Sequence, residues 1–467
     1  MLTKEQTEAL LSQAMNSAAD FAEIFEEETH TESFTMLDDS VEKISRSVRA
    51  GAGIRLYKGT SSVYGYTDEM DPEVLSGIVS DLCDAIGSAD ADAAPAAVKL
   101  EDRRVPENIS PIGIDPFKTD DDAKIELLER AIRAARESDE RIFKVSASIS
   151  SVHQDVQISN SDGLFTGDTR QRSRMAVSAY AKEGDNVQSG SCAPGASAGL
   201  EFFQGDHAPE ETGKEAARIA TVLLRAKPAP SGVMPVIIDN GFGGVIFHEA
   251  CGHSLEATAV AKNLSVFSNK LGEKIASDIV SAYDDGTMPG EWGSQNIDDE
   301  GNPQQRRELI KDGVLTQYMV DRLNARRMNT VSSGSGRRES YKYEPTSRMS
   351  NTFIAPGKDK KEDMFKGIKL GLYCRSMGGG SVNPNTGEFN FGVNEGYLIE
   401  DGKITDPVIG AMLIGSGAEI LKNIDMVSDD VALAQGMCGS LSGSIPTNVG
   451  QPAIRVSSIT VGGTASE

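Results

Sequence analysis

The amino-acid sequence predicts an α+β chain of two parts, in which a β-rich C-terminal domain carries a helix with a histidine pair. Before residue 228 the predicted elements follow one another as helix, strands, helix, strands and helix, an order that favours antiparallel pairing. Residues 227–232 read Lys-Pro-Ala-Pro-Ser-Gly, which is typical of a linker. After this linker the chain becomes rich in glycine and in short strand-like runs. We therefore predict an N-terminal α+β region over residues 1–228 and a C-terminal domain over 229–467.

The elements of the N-terminal region follow from hydrophobic periodicity and capping signals. A first helix is predicted over 3–25, where Thr3 and Gln6 form a capping box and apolar residues recur on one face. The same patterns predict strands over 33–67 and 142–190, and helices over 120–138 and 209–226. The Ala-, Asp- and Pro-rich stretch at 88–107 is predicted to be a mobile connection between two subdomains of this region.

The C-terminal domain begins with a predicted strand and a helix. Residues 233–239 form a short apolar run of the buried-strand type, and a glycine turn separates them from VIFHEACGHSLEATAV at 245–260. This second segment is predicted to be helical. The remaining chain is rich in Gly, Asn and Asp, which suits a curved sheet whose loops approach a ligand closely.

Composition and charge exclude several functional classes. The chain of 467 residues has 46 Lys and Arg against 70 Asp and Glu, a net charge of −24. Nucleic acids and anionic membranes attract clustered Lys and Arg, so this acidity argues against direct contact with either. No apolar run approaches the roughly 20 residues that span a bilayer, and Lys4 and Glu5 lie where a signal peptide would be apolar. We expect a cytoplasmic protein, whose five widely spaced cysteines form no disulfide framework.

The chemically most informative segment is His248-Glu249-Ala250-Cys251-Gly252-His253, which holds two of the five histidines. Two imidazoles on one helix can bind one metal ion, and a Glu beside the first is the usual general base for water on that ion. The histidines are five residues apart, which separates them by roughly 140° on an ideal α-helix. Both can face one ion where the helix widens or ends between them, and Gly252 favours such a π-bulge. The alternative is two semi-buried histidines that share no ligand.

A catalytic zinc site normally uses three protein ligands, so a third residue must join the pair. Spacing alone leaves four candidates open: Glu256, Cys251, Cys438 and His207. Glu256 follows His253 by three residues, within reach on one helix face. Cys438 lies between glycines in the run Gly436-Met437-Cys438-Gly439, although a buried, inert role is the usual one for an intracellular cysteine.

Beyond these residues, the chain resembles the TldD/PmbA (TldD/TldE) family, whose members are often called modulators of DNA gyrase. The resemblance covers nearly the whole chain and rests on these segments: HEACGHSLE (248–256), DDGT (284–287), DDEGNP (298–303), GSGRRESY (334–341), RMSNT (348–352), GGGSVNP (378–384), FNFGVNEGYLIEDGKI (389–404) and the run over 437–463. The TldD-like member of the family is a zinc metallopeptidase, whereas the TldE-like member lacks the histidine pair. Because this chain keeps the pair, it resembles the TldD side.

The resemblance implies specific roles for residues of this chain. His248, His253 and Cys438 are implied to bind Zn²⁺, and Glu249 is implied to be the catalytic carboxylate. The implied substrates are unfolded or ribosomally made peptides. The implied assembly is a dimer, formed with a TldE-like subunit or with a second copy of the chain. The chain departs from the family at Ser440, where a lysine is usual, and this changes the charge near the site.

The predicted function is therefore zinc-dependent peptide hydrolysis. Glu249 is expected to take a proton from zinc-bound water and to return it to the leaving amine. Arg337 and Arg338 are predicted to bind a peptide carboxylate or to stabilise an oxyanion, and the alternative for them is a solvated pair in a loop rich in Ser and Gly. The alternative function is a non-catalytic protein that binds peptides or regulates gyrase or an antitoxin.

Overall fold

Long antiparallel strands form the first sheet of the protein. The computed structural model describes residues 1–88, 96–103, 108–383 and 386–464. The strands of the first sheet are β1 (Phe21–Leu37), β2 (Ser40–Lys58), β3 (Ser61–Thr67), β4 (Glu101–Asp102), β5 (Ile142–Asn160), β6 (Leu164–Glu183), β7 (Asn186–Cys192) and β8 (Gly195–Ala196). Their order is β3-β2-β1-β5-β6-β4, and β7 and β8 also pair with β6. The neighbours from β3 to β6 in this order pair in antiparallel fashion, which confirms the predicted pairing, whereas β4 is parallel to β6.

Helices cover one face of this sheet. They are α1 (Lys4–Met15), α2 (Pro72–Ile86), α3 (Asp121–Ser138) and α4 (Pro209–Leu223). Side chains alternate between the two faces of a strand, and on β1 Ala22 and Ile24 pack with α1 and α2. Phe25 points to the other face, where it packs with Ile297 and Tyr341 from the second half of the chain. The first sheet therefore lies between a helical layer and the region that follows residue 227.

The helix predicted over 3–25 is wrong in its second half, and α2 was not predicted. Helix α1 ends at Met15, and Phe21–Leu37 is a strand. Glu23 favours a helix by propensity, but its side chain is buried and pairs with Arg55 and Arg338. These ion pairs join residues that are distant in the sequence, so a local pattern does not reveal them. The predicted helices at 120–138 and 209–226 are confirmed as α3 and α4.

The predicted connection at 88–107 lies largely outside the described residues. Within 96–103, Glu101 and Asp102 pair in parallel with Leu164 and Phe165 of β6. The division of the chain at 228–229 and the subdivision near 88–107 both stay predictions. In the ranges that the structure describes, no helix combines the length and the apolar character needed to cross a membrane.

Two further sheets contain strands from the second half of the chain. Their strands, together with a short pair, are β9 (Lys227–Pro228), β10 (Gly232–Ile238), β11 (Ala282–Asp285), β12 (Arg306–Lys311), β13 (Val314–Leu315), β14 (Gly336–Arg337), β15 (Thr346–Ser347), β16 (Asn351–Ile354), β17 (Leu370–Val382), β18 (Glu388–Glu400), β19 (Lys403–Ile409), β20 (Met412–Ser416), β21 (Ile424–Val427), β22 (Ala432–Ser440), β23 (Gly443–Gln451) and β24 (Ile454–Gly462). One sheet has the order β17-β10-β24-β20-β18-β19-β9, with β21 on β24. The other has the order β13-β12-β11-β16-β23-β22, and β14 pairs with β15.

Short helices complete this half of the chain, and one helical segment lies in its core. The short helices are α5 (Val245–Phe247), α6 (Ala257–Val260), α7 (Arg322–Met328) and α8 (Gly417–Asn423). Phe247 and Leu255 belong to one apolar core with Val236 of β10 and Val449 of β23. The segment 245–260 is therefore buried against both sheets. Segregated helices and a β-rich second half confirm the predicted α+β class.

Candidate metal site

A widened helical turn brings the two histidines together. Helix α5 continues into one π-helical turn over His248–Gly252, which is followed by a 3₁₀ turn over His253–Leu255. The backbone N–H of His253 donates to the carbonyl of His248, five residues earlier. The two imidazole rings lie 5.0 Å apart, between centroids, at an interplanar angle of 86°. The helix thus widens between the histidines, which is one of the two conditions under which both can face one ion.

Close packing explains why glycine occupies positions in and against this turn. A Cβ atom on Gly252 would lie 2.3 Å from the sulfur of Met349. A Cβ atom on Gly417, the first residue of α8, would lie 1.8 Å from the carbonyl oxygen of Ala250. Both distances are far shorter than real contacts. The π-helical turn is therefore held between the Met349 side chain and the start of α8, and its shape depends on both glycines.

The thiol of Cys438 reaches the two imidazoles from the β22–β23 hairpin, where Cys438 lies opposite Ile445. Its Sγ atom lies 3.3 Å from Nε2 of His248 and 3.2 Å from Nε2 of His253. The three atoms all lie within 4.8 Å of one another. In a tetrahedral zinc site the ligand atoms are about 3.3–3.6 Å apart, given the usual Zn–N and Zn–S bond lengths. Two imidazole nitrogens and one sulfur in this arrangement fit a zinc ion.

The electrostatic environment favours a thiolate at this position. Burial raises the pKa of the Cys438 thiol, but the His248 and His253 imidazoles beside it lower that pKa to about 3. Burial lowers the pKa of His253, yet Glu256 and Cys438 raise it well above its usual value. The thiolate is the form of cysteine that binds metals. Cys438 is therefore held in the form that can bind a metal ion between the two imidazoles.

Two carboxylates lie on different sides of the His253 ring. Oε2 of Glu249 lies 3.7 Å from Nε2, the ring nitrogen that faces Cys438, and the Glu249 side chain is 22 % exposed. Oε2 of Glu256 lies 3.1 Å from Nδ1, on the far side of the ring. Glu249 is therefore next to the candidate metal position and open to solvent, whereas Glu256 contacts the ligand from behind.

The other two candidates for a third ligand lie elsewhere. Cys251 is fully buried in the apolar core, and burial raises the pKa of its thiol. His207 stacks on Phe202, with ring centroids 4.4 Å apart. Neither residue belongs to the cluster that His248, His253 and Cys438 form.

Arg337 and Arg338 lie inside the protein, so the alternative of a solvated pair is wrong. Their exposed fractions are 2 % and 5 %. Arg337 donates to the carbonyl of Met349 at 2.6 Å. Arg338 forms an ion pair with Glu23 at 2.7 Å and donates to the carbonyl of Asp299 at 2.9 Å. The predicted role in binding a peptide stays a prediction, and these internal contacts do not support it.

Sequence reasoning missed Arg348, whose guanidinium contacts the segment that carries Cys438. Arg348 is 1 % exposed and donates to the carbonyl of Cys438. Its place in the RMSNT segment, beside the Met349 that packs on Gly252, was the available signal.

Comparisons with known proteins show which family the sequence belongs to. The chain matches three PmbA/TldA metallopeptidase domains: domain 1 at residues 22–93, the central domain at 114–224 and the C-terminal domain at 231–463. It is 39 % identical over 459 residues to the metalloprotease TldD homolog of Haemophilus influenzae, which covers 95 % of this chain and 93 % of that protein. It is 31 % identical over 241 residues to the zinc metalloprotease TldD homolog of Saccharolobus solfataricus, covering 51 % of this chain and 54 % of that protein.

Solved structures share the fold over the whole chain. A protein of Thermotoga maritima described as a modulator of a DNA gyrase has a TM-score of 0.79 and 23 % identity, covering 98 % of this chain and 99 % of that one. TldE of Thermococcus kodakarensis has a TM-score of 0.75 and 20 % identity, with coverages of 98 % and 99 %. At such identities the likeness concerns the fold alone. The domain matches and the H. influenzae relative, by contrast, show that the chain belongs to the PmbA/TldD family of metallopeptidases.

Proposed function

We propose that the chain is a zinc-dependent peptidase whose metal ligands are His248, His253 and Cys438. The observation that carries this proposal is the meeting of two imidazole nitrogens and one thiol sulfur within 4.8 Å. Cys438 joins His253 across 185 residues of sequence, so the fold itself creates the cluster. Three protein ligands with an open fourth position are typical of catalytic zinc. The name of the S. solfataricus relative supports zinc as the metal.

Glu249 is the proposed catalytic carboxylate. When bound, a zinc ion supplies Lewis acidity toward a peptide carbonyl and lowers the pKa of water. Glu249 lies on the ligand side of His253 and is open to solvent, so its carboxylate can take a proton from the attacking water. It then holds that proton and donates it to the leaving amine nitrogen. Glu256 is unsuited to this role because its carboxylate contacts Nδ1 of His253 on the far side of the ring.

The proposed substrates are unfolded or ribosomally made peptides. His248 and Cys438 are 2 % and 6 % exposed, so an extended chain can bring its backbone to them more readily than a folded protein can. We further propose a dimer with a TldE-like subunit or with a second copy, a partnership that the shared fold with TldE supports. We propose the cytoplasm as its location, because all five cysteines are free, as thiols in a reducing compartment are.

Metal analysis together with a cleavage assay tests this function. The full chain purified without chelator is expected to hold about one zinc ion, which Cys438→Ala loses and Glu249→Gln keeps. Cleavage of unstructured peptides, followed by mass spectrometry with and without a TldE-like subunit, is expected to fall by about 10²–10⁴-fold in Glu249→Gln. The control is Glu308→Gln, which should cleave peptides normally, because the Glu308 carboxylate accepts a hydrogen bond from Tyr283 on strand β11 and does not contact the metal site.

Two results would contradict the proposal. If Cys438→Ala keeps zinc at full occupancy, Cys438 is not the third ligand. If Glu249→Gln cleaves peptides at the normal rate, Glu249 is not the catalytic carboxylate. Zinc binding without turnover of any peptide would favour the alternative function, a non-catalytic protein that binds peptides or regulates a partner.

A further inference from the structure

The guanidinium of Arg348 holds the strand and turn that carry Cys438. Its Nη2 donates to the carbonyl oxygen of Cys438 at 2.5 Å. Its Nη1 donates to the hydroxyl of Ser442 at 3.1 Å and to the carbonyl of Gly443 at 3.0 Å. Arg348 is 1 % exposed and follows strand β15. One buried side chain therefore contacts both the ligand residue and the turn that follows it.

The same guanidinium faces the carboxylate behind His253. Nε of Arg348 lies 3.7 Å from Oε1 of Glu256, while Oε2 of Glu256 lies 3.1 Å from Nδ1 of His253. Glu256 is 5 % exposed, so water screens this ion pair little. This ion pair contains no hydrogen bond, because Nε of Arg348 and Oε1 of Glu256 are both without a hydrogen-bond partner in the described part of the chain. Together with the hydrogen bonds at its two ends, it forms a path from His253 through Glu256 and Arg348 to Cys438, outside the candidate metal position.

This path fixes both the ring and the strand. A carboxylate on Nδ1 keeps the proton on that nitrogen, so Nε2 presents its lone pair toward Cys438. The carbonyl contact holds the backbone of Cys438, and with it the direction of the thiol. His248 differs in this respect, since its Nδ1 is buried with no hydrogen-bond partner in the described part of the chain. Orientation by a carboxylate is thus a property of His253.

We propose that Glu256 and Arg348 are positioning residues that act as one clamp, preorganising His253 and Cys438 to bind the metal. The proposal rests on the proposed function, because it takes His253 and Cys438 as ligands. It assigns neither residue to the chemical step. It predicts that the clamp raises metal affinity by orienting ligands that are already present, as carboxylates behind ligating histidines do in other metal sites.

Zinc affinity measured on the full chain by competition with a chelating dye tests the clamp. Glu256→Ala and Arg348→Met are each expected to weaken zinc binding about 10–100-fold. Glu256→Gln is expected to bind zinc nearly as tightly as the wild type, because its amide oxygen can still accept a hydrogen bond from Nδ1 of His253. The matched control is Glu291→Gln, which should bind zinc normally. The Glu291 side chain is half-buried, and its carboxylate accepts a hydrogen bond from Asn448 of strand β23, beside the strand that carries Cys438.

A second readout separates positioning from a merely structural role. Co²⁺ bound in place of zinc reports the Cys438 thiolate through its charge-transfer absorption, which is expected to shift and weaken in Glu256→Ala and Arg348→Met. Near-ultraviolet circular dichroism of each apo variant verifies that it folds. Because the two residues are proposed to act together, the double variant should lose less affinity than the product of the two single losses.

The outcomes distinguish this proposal from the proposed function. Wild-type zinc affinity and an unchanged cobalt spectrum in folded Glu256→Ala would overturn the clamp while leaving the ligand set intact. If the loss of zinc affinity in the double variant equals the product of the two single losses, the two residues act independently and the joint clamp is overturned. A wild-type chain that binds no zinc, alone or with a TldE-like subunit, would overturn the proposed function and the clamp with it.

Discussion

Arg55 of strand β2 donates from Nη2 to Oε1 of Glu300 at 2.8 Å, and both side chains are fully buried. The same nitrogen contacts Glu23 of β1 at 3.1 Å. Glu23 also pairs with Arg338 at 2.7 Å. Two residues of the first sheet and two of the second half of the chain thus share one buried network. The network joins the two halves of the protein at the side of the sheet that the helices leave uncovered.

Removing Arg55 should destabilise the protein strongly. Arg55→Met leaves the Glu23 carboxylate buried with one cation fewer and Glu300 without its hydrogen-bond donor, and breaking a buried pair of this kind costs about 3–5 kcal/mol. Chemical denaturation of the full chain measures this loss. Arg130→Met is the control, because Arg130 pairs with Glu210 at the surface, where an ion pair contributes about 1 kcal/mol or less. If both variants lose the same free energy of unfolding, the buried network contributes no more to stability than a surface ion pair.

Glu300 should make stability fall as pH rises. Burial raises the pKa of Glu300 to about 8 against the opposing effect of Arg55, and Asp321 and Asp298 add to the rise. In the unfolded chain the pKa is near its ordinary value of 4.5. Between these values the folded state holds a proton that the unfolded chain has lost, so this contribution is complete below about pH 4.5 and is lost by about pH 8.

The variant Glu300→Gln isolates this effect from the other titrating groups. Its melting temperature, relative to that of the wild type, should rise steadily from pH 5 to pH 8 and level off above pH 8. Differential scanning fluorimetry across this range gives the comparison. A difference in melting temperature that stays constant with pH would show that Glu300 is ionised throughout.

The network also explains what the sequence could and could not predict. The helix predicted over 3–25 extended too far. Glu23 favours a helix by propensity, and its ion-pair partners Arg55 and Arg338 lie far away in the sequence, so they give no local sign that Glu23 is buried in a strand. The alternative of a solvated pair at Arg337 and Arg338 was wrong for a similar reason, since their Ser and Gly neighbours suggest exposure. Charges buried by distant partners carry no local signal, and periodicity alone misplaces them.

The histidine pair was predictable because its chemistry is local. A spacing of five residues with Gly252 between the histidines is compatible with one ion when the helix widens, and the structure has a π-helical turn there. Cys438 was different, because spacing gave it no advantage over Glu256 or Cys251, and family resemblance selected it. Arg348 lies in the RMSNT segment that carries the resemblance, but its contact with Cys438 depends on how the β22–β23 hairpin packs, which the sequence does not reveal.

Adding a methyl group at Gly417 should disturb the π-helical turn. In Gly417→Ala the new Cβ would lie 1.8 Å from the carbonyl oxygen of Ala250, so α8 or the turn must move. Overpacking of this kind typically costs about 1–3 kcal/mol, and zinc content should fall because Ala250 lies between the two histidines. Gly439→Ala is the control, because a Cβ there meets no atom within 4 Å although Cys438 is its neighbour. If both variants keep full stability and zinc, the turn does not depend on this contact.

Removing the metal should lower the stability of the protein, and the size of this effect should depend on whether the proposed metal ligands are intact. A ligand that binds the folded state alone stabilises it by about 2.7 kcal/mol at a free concentration 100 times Kd. Thermal melts of the zinc-loaded chain with and without a chelator should therefore differ. Glu249→Gln should show the same difference, because its carboxylate is proposed to handle protons rather than to bind the ion. Cys438→Ser should show little, because it loses the thiolate that lies 3.3 Å and 3.2 Å from the two imidazole nitrogens. A chelator effect that survives in Cys438→Ser but vanishes in Glu249→Gln would reverse the roles assigned to these two side chains.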